Sequence, residues 1–342
     1  MFNSLKINTD NFISIKKIFF DQASEPLIKP KINLKEDAHY DFSSYGSLNP
    51  NKIFYVIKRS PGAGLFSNLI YVVNHLLIAD KHNFIPIIDM ENYPTIYNEK
   101  KLIHGTKNSW LYYFEPVSKY TLHEVYKSKN VIISTNKFYD VFSHKIYENK
   151  NLLKFSKNIV IKKYIKIKIK KFLAKTSINK YKTLGIHYRG TSYKDSANHP
   201  FPPTYKQLVK KIDNLLKINK FDKIFFATED KEMFDLMIKK YKNKIIFYDS
   251  FRSIKDDAFK KYSRPNHRFK LGEEILIESL ILSKCHTFLF VETNVSSYVR
   301  LIRKKNQILI PLHNGFNSSN EYIAKWLWYI KKMLPPKLGG FS

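Results

Sequence analysis

The sequence predicts an α/β protein made of two doubly wound, Rossmann-like domains. At 342 residues the chain is long enough for two domains that each bury a core. After residue 51 it has an apolar run, a glycine turn, an amphipathic stretch and another apolar run, the order of a parallel strand-helix-strand unit. From residue 183 apolar and amphipathic segments alternate strictly. A boundary near residue 178 separates an N-terminal domain, 1–178, from a C-terminal domain, 179–342.

The composition indicates a folded and strongly basic protein. Hydrophobic residues make up 44% of the chain and aromatic residues 15%, which is typical of a packed globular chain. The 59 Lys and Arg residues outnumber the 29 Asp and Glu residues, and the formal net charge of +30 is spread from end to end. Part of this excess fits a coding bias toward Lys, Ile and Asn. Such a field favours anionic partners, including nucleotides, lipid phosphates and nucleic acid, without choosing among them.

The single cysteine and the absence of long apolar runs limit where the protein works. Cys285 is alone, so an intrachain disulfide, a CxxC pair and a cysteine-based zinc site are excluded. The N-terminus lacks the pattern of a cleaved signal, and no run of about 18 apolar residues occurs. We therefore expect a cytoplasmic protein that touches the inner face of an inner membrane only peripherally.

The N-terminal domain opens with an irregular arm, 1–50, and continues with strand 52–59, glycine turn 60–64, helix 65–82 and strand 84–89. Gly62 and Gly64 let the backbone approach a ligand at a helix start, and Asn68 follows in that helix. A turn that only needs a positive φ explains the same glycines. A P-loop is excluded because Leu65 and Phe66 replace its Lys and Ser or Thr, and only two of the three dinucleotide-fingerprint glycines are present.

The rest of this domain is aromatic and then lysine-rich. Trp110, Tyr112, Tyr113 and Phe114 suit a core better than a sugar-stacking surface. A strand is expected at 130–134. Residues 151–176 place isoleucine and aromatic side chains on one stripe with lysines opposite, which predicts a helix. That stripe fits either a protein core, the commoner case, or an anionic membrane.

The C-terminal domain is expected to have strands at 184–188, 223–230, 244–249, 287–293 and 307–312. Its helices are expected at 204–218, 231–241, 271–284, 295–304 and 320–334, and the last, with Trp326 and Trp328, should pack back across the domain junction. Ligands of such sheets bind beyond the carboxyl ends of the strands.

Polar clusters follow three of these strands. Arg189 can grip phosphate bidentately, and Ser296 and Ser297 fall in the first turn of a helix whose N–H groups attract phosphate. A structural salt bridge and ordinary helix caps explain the same residues one by one. The candidate donor-binding residues at these ends are His187, Arg189, Gly190, Thr191, Lys194, Thr228, Glu229, Asp230, Glu292, Thr293, Asn294, Ser296 and Ser297.

These segments resemble a known family. GIHYRGTSYKD, FFATED and LIESLILSKCHTFLFVETNVSSYVRLI, with the GAGLFSN turn, are similar to motifs of the fucosyltransferase superfamily of glycosyltransferase-B (GT-B) enzymes, which includes bacterial α1,2- and α1,6-fucosyltransferases and protein O-fucosyltransferases. The resemblance spans about residues 55–310 and implies two Rossmann-like domains facing across a cleft. The chain departs from the family at Gly190-Thr191 and at His286, where relatives carry other residues, and this leaves the donor sugar open.

The resemblance implies an inverting, metal-independent transfer of a sugar, most directly fucose from GDP-fucose, without a cofactor. By the same resemblance Arg189 holds the β-phosphate beside His187, Asp230 lies near the donor base, and Ser296 and Ser297 bind phosphate. Arg189 and the helix N-terminus would neutralise the leaving diphosphate in place of Mg²⁺. The expected acceptor is a bacterial surface glycan, of the capsule, lipopolysaccharide or lipid-linked kind. Asp89 and Glu91, after the strand at 84–89, are the candidates for the general base.

Three other functions stay open at this point. A basic nucleic-acid-binding protein fits the charge, but most aromatic residues lie on apolar stripes rather than among the lysines. A P-loop sulfotransferase lacks its loop lysine. A non-catalytic glycan-binding relative would keep the fold without transfer.

Overall fold

A computed structural model describes residues 40–59, 62–134, 159–178, 181–255 and 258–341. The chain divides into two compact units, Met1–Lys162 and Lys163–Ser342. Each unit contains a largely parallel sheet with helices, which confirms the α/β class.

The first unit has a four-stranded sheet of β1 (Tyr40–Ser43), β2 (Leu48–Ile57), β3 (Ile85–Ile88) and β4 (Ser128–Ser134), in the order β1-β4-β2-β3. β2 is parallel to β3 and to β4, and β1 is antiparallel to β4. The helices within its described residues are α1 (Leu65–Lys81) and the short α2 (Trp110–Tyr113) and α3 (Leu122–Val125).

The predicted irregular arm is wrong for residues 40–50. β1 and the beginning of β2 lie there, because their backbone groups find partners along β4, as Tyr40 does opposite Ser134. The rest of the predicted arm, 1–39, lies outside the described residues. The aromatic stretch packs as core, as predicted, since Trp110, Tyr112 and Tyr113 are all buried.

The second unit begins with α4 (Lys163–Thr176) and has a five-stranded sheet: β5 (Thr183–Tyr188), β6 (Lys223–Thr228), β7 (Ile245–Ile246), β8 (Thr287–Val291) and β9 (Ile308–Leu312). All neighbouring strands are parallel, in the order β7-β6-β5-β8-β9. The larger helices that follow α4 are α5 (Tyr205–Ile218), α6 (Lys231–Tyr241), α7 (His267–Leu282), α8 (Asn294–Ile302) and α9 (Glu321–Met333). β7 forms only two residues of the predicted strand 244–249.

The predicted boundary near residue 178 needs correction, because α4 packs within the second unit. Ile165 and Ile169 are buried, which confirms a core role for this part of the stripe. On the charged side, Lys168 Nζ lies 2.7 Å from Glu273 Oε1 of α7. Residues 151–158 of the predicted helix lie outside the described residues.

No helix within the described ranges is both long enough and apolar enough to cross a bilayer.

Candidate functional site

The candidate polar residues of the second unit lie near the point where the strand order of its sheet reverses, between β5 and β8. β5 is central; the chain runs from it to β6 and β7 on one side, then returns to β8 and β9 on the other. In such sheets the crevice between the two diverging connections, at the carboxyl ends of the strands, is where ligands bind. Here the loop after β5 and the first turn of α8 flank that crevice, because β5 pairs directly with β8.

One carboxylate oxygen, Glu229 Oε1 after β6, holds the loop that follows β5. It accepts hydrogen bonds from Gly190 N at 3.0 Å, Thr191 N at 3.2 Å and Thr191 Oγ1 at 3.1 Å. These three hydrogen bonds fix the turn formed by Gly190 and Thr191. The loop conformation is therefore set by the neighbouring strand end rather than by the loop itself.

Arg189 adds a cation to the same oxygen. Its Nε lies 3.7 Å from Glu229 Oε1, and its Nη2 donates to Ser192 Oγ at 3.1 Å. Burial raises the pKa of Glu229, but the Arg189 charge and the backbone hydrogen bonds outweigh burial and bring that pKa below its ordinary value. About a third of the Arg189 side chain (34%) remains exposed at the strand end.

Gly190 is required by close packing. A Cβ on this residue would lie 2.3 Å from Tyr188 Cε1 and 2.4 Å from Asp230 Oδ2. Asp230 Oδ1 in turn accepts from Met233 N at 2.9 Å and caps α6, while Asp230 Oδ2 accepts from Lys194 Nζ at 3.0 Å. Asp230 and Lys194 thus have structural partners. Thr228 also supports this turn, since its Oγ1 accepts from the backbone N–H of Asp230 at 3.1 Å.

The last two residues of β5 point to opposite faces of the sheet. Tyr188 packs with Leu208 and Met233 in the core, so His187 lies on the other face. Burial lowers the pKa of His187 to about 4, which keeps the ring neutral at pH 7. Among the described residues, neither His187 Nδ1 nor the Tyr188 hydroxyl has a hydrogen-bond partner.

The first turn of α8 closes on itself. Ser296 Oγ accepts from Thr293 N and donates to Thr293 O, both at 2.9 Å, and Thr293 Oγ1 accepts from Ser296 N at 3.0 Å. This capping box uses the Ser296 hydroxyl, one of the two predicted to bind phosphate, and Ser296 and Ser297 are both fully buried. Asn294, half-buried at the first helical position, is the polar side chain of this turn nearest to solvent.

Glu292 belongs to a bidentate ion pair. Arg300 Nη1 donates to Glu292 Oε1 at 3.0 Å and Arg300 Nη2 donates to Oε2. Arg300 is buried and lies over the ring of Phe290. The pair anchors α8 to the end of β8, which makes Glu292 structural rather than a direct phosphate ligand.

The glycine turn of the first unit has room around it. Gly62 has a φ of +95°, and a Cβ added to Gly62 or Gly64 would meet nothing within 4 Å. Asn68 is buried, its Nδ2 donates to Ala63 O at 3.4 Å, and its Oδ1 has no hydrogen-bond partner within the described part of the chain. Residues 60–61, the first two of the predicted turn, lie outside the described part of the chain. The positive φ at Gly62 satisfies the simpler explanation of this turn.

The two candidate bases have different surroundings. Asp89 is fully buried: Oδ1 accepts from the backbone N–H groups of Glu91 and Asn92 at 3.2 and 2.8 Å, and Oδ2 accepts from Tyr126 Oη at 2.6 Å. Those contacts make it a structural carboxylate. Glu91 is exposed and lines a cavity of about 220 Å³ with Trp110, which suits an acid-base role.

Two features of the second unit escaped the sequence analysis. Burial raises the pKa of Glu278 on α7 to about 8, although Arg252 Nη2 lies 3.7 Å away and Ser250 Oγ donates to it at 2.8 Å. The sequence signal that could have predicted this site is three glutamates in a mostly apolar helix, Glu273, Glu274 and Glu278, all of which are buried.

The other feature is a cavity of about 300 Å³, which is lined by the Asp230–Lys194 pair and by Tyr188 and Trp328.

Within the described ranges, no group of three or more His, Cys, Asp or Glu side chains is arranged to hold a metal ion.

Known proteins resemble this chain only at the level of the fold. No protein-family model and no curated protein matches the sequence. Among solved structures, NodZ alpha-1,6-fucosyltransferase soaked with GDP-fucose is similar, with a TM-score of 0.51 and 14% identity, over 74% of this chain and 93% of that chain.

Fucosyltransferase NodZ from Bradyrhizobium gives a TM-score of 0.49 at 14% identity, over 74% of this chain and 94% of that one. POFUT1 in complex with GDP-fucose gives a TM-score of 0.39 at 10% identity, over 76% of this chain and 98% of that chain. These two likenesses are too distant to argue from. The first shows that the chain shares the α/β fold of NodZ alpha-1,6-fucosyltransferase over about three quarters of its length.

Proposed function

We propose that this protein is a glycosyltransferase that moves a sugar, most directly fucose, from a GDP-linked donor. The observation that carries the proposal is Arg189, a positioned and partly exposed guanidinium at the switch point of a sheet with the fold of an α1,6-fucosyltransferase. Planar guanidinium groups bind diphosphate oxygens in pairs. The second unit is therefore the proposed donor-binding unit.

The chemistry needs a group that accepts charge on the leaving diphosphate. In an inverting transfer the acceptor oxygen forms a bond to the anomeric carbon while the carbon–oxygen bond to the β-phosphate breaks. The electron pair passes to the phosphate oxygen, next to which we place Arg189. The N–H groups at the start of α8 supply further positive potential there. Both groups would supply the positive potential that a metal ion would otherwise provide, which supports the proposal of metal-independent transfer.

The acceptor hydroxyl loses a proton in the same step. Of the two carboxylates considered, we assign Glu91, because it is exposed beside a cavity, whereas Asp89 is fully buried and hydrogen-bonded. The proposed acceptor is a bacterial surface glycan or its lipid-linked precursor. The proposed location is cytoplasmic, with peripheral contact at an anionic membrane, which the net charge of +30 favours.

The decisive experiment uses the purified protein and a panel of nucleotides and nucleotide sugars, with and without EDTA. We expect GDP and GDP-fucose to raise the melting temperature, EDTA to leave that rise unchanged, and slow donor hydrolysis to release fucose. Stabilisation only by UDP-sugars or by a sulfonucleotide contradicts the proposal. Tight binding of single-stranded nucleic acid without any nucleotide-sugar effect supports the nucleic-acid rival instead. GDP binding that EDTA abolishes contradicts metal independence alone.

A further inference from the structure

The outward face of α9 is an unbroken apolar surface. With about 100° of rotation per residue, its exposed large side chains fall within an arc of about 120°, and no polar residue of the helix falls inside that arc. Trp326 is 67% exposed and Met333 77%. We call this the α9 face, and its residues are Tyr322, Ile323, Trp326, Tyr329, Ile330 and Met333.

The α9 face is additional to the contacts that hold the helix in its unit. On the opposite side Ala324 and Trp328 are buried; Trp328 packs with Phe201 and Phe341, and its Nε1 donates to Pro202 O at 2.9 Å. The helix therefore already has its core contact. A helix that is apolar on both sides needs a second apolar environment.

The edge of the α9 face is basic. By the same rotation Lys325 and Lys332 lie together along one edge of the arc, and Lys325 Nζ lies 5.6 Å from the centre of the Tyr322 ring. Glu321, the one acidic residue of the helix, falls on the same edge, so this edge carries two lysines and one carboxylate, and Lys337 follows the helix. Long lysine stems beside tryptophan and tyrosine match the boundary between headgroups and acyl chains.

We propose that α9 lies in the plane of an anionic membrane surface, with the α9 face inserted among the acyl chains and the lysines among the lipid phosphates. The chain's net charge of +30 adds attraction to such a surface. An antiparallel symmetric contact between two copies is less favourable, because it would bring the Lys325 and Lys332 edges of both copies to the same side. The other lysine-rich helix, α4, buries its stripe at Ile165 and Ile169 and offers no comparable face.

Trp326 provides a direct readout. The chain has 3 tryptophans, and the other two, Trp110 and Trp328, are buried. Addition of phosphatidylcholine vesicles containing phosphatidylglycerol should shift tryptophan emission to the blue, and brominated lipids should quench it. Vesicles of phosphatidylcholine alone should bind much less. The double variant Trp326→Ser, Ile330→Ser should weaken vesicle binding at least about tenfold, from the apolar area lost.

The matched control is Ile218→Ser, Ile254→Ser, which removes two side chains that are 79% and 73% exposed elsewhere on the second unit. It should bind vesicles as the wild type does, and both double variants should keep wild-type GDP binding, so that this test is separate from that of the proposed function. Vesicle binding without a change in Trp326 emission overturns the insertion. Absence of vesicle binding also overturns it, and a wild-type dimer that Trp326→Ser, Ile330→Ser makes monomeric would assign the face to a second copy.

Discussion

The two strand ends that flank the switch point look alike in sequence and differ in structure. Both β5 and β8 end in a cluster of polar residues. The loop after β5 is held from outside by Glu229 and Asp230, and this leaves the Arg189 guanidinium partly exposed. The turn after β8 is held by its own residues, Thr293 and Ser296, whose hydroxyls are consumed by the cap. Both strand ends are thus fixed by side-chain hydrogen bonds, but the one after β5 also carries a cation, Arg189, whose side chain remains about one third exposed.

The largest expected effect comes from Arg189. We expect Arg189→Ala to lower donor turnover by about 10²–10³-fold, the scale on which a single stabilising donor is lost from a transition state. The fold should be kept, but the unfolding midpoint should fall somewhat, because Glu229 loses the cation that holds its pKa low. Steady-state turnover of GDP-fucose measures the effect. Arg189→Lys, which keeps the charge and loses the planar fork, should fall in between; normal turnover by Arg189→Ala contradicts the site.

Gly190→Ala tests whether the β5 loop is held as tightly as its contacts indicate. The new methyl would overlap Tyr188 and Asp230, and overpacking of this kind typically costs about 1–3 kcal/mol of unfolding free energy. Urea denaturation measures it. Gly64→Ala is the matched control, since a Cβ there meets nothing within 4 Å and should cost less than about 1 kcal/mol. Equal losses for both variants would show that the loop can relax.

Ser296→Ala tests the turn after β8, which its own residues hold. Loss of the capping hydroxyl should lower the unfolding free energy by about 0.5–2 kcal/mol. GDP affinity, measured by calorimetry, should change by no more than a few fold, because the hydroxyl is already bonded within the turn. Asn294→Ala, at the more exposed position of the same turn, should weaken GDP more than Ser296→Ala does. The reverse order would return Ser296 to the role of phosphate ligand.

The last test is a pH dependence at His187. Its folded pKa of about 4 is below the ordinary value of 6.5, so the unfolded chain takes up a proton first. Stability should therefore fall as the pH drops from about 6.5 to about 4. His187→Gln should flatten this slope in urea midpoints measured across that range. His75, with a pKa of about 3, gives a slope of the same sign, so some dependence should remain. An unchanged slope would show that the ring is not buried in solution.

The helices α4 and α9 show where sequence patterns stop being informative. Both are basic and amphipathic, and the sequence left α4 open to a protein core, the commoner case, or to an anionic membrane. The structure buries Ile165 and Ile169 of α4 and leaves Trp326 of α9 exposed. Periodicity shows that a helix has an apolar face. It does not show whether the fold covers that face.

The sequence alone determined the alternation of strands and helices in the second unit, the core role of the aromatic stretch and the polar strand end that contains Arg189. These follow from local periodicity and from residue types that act within a few positions of one another. Tertiary structure decided the rest: the division of the chain at Lys162, the structural use of Asp89, Glu292 and Ser296, and the buried Glu278. Each depends on partners distant in sequence or on burial, because a side chain's chemistry is set by the neighbours that the fold brings to it.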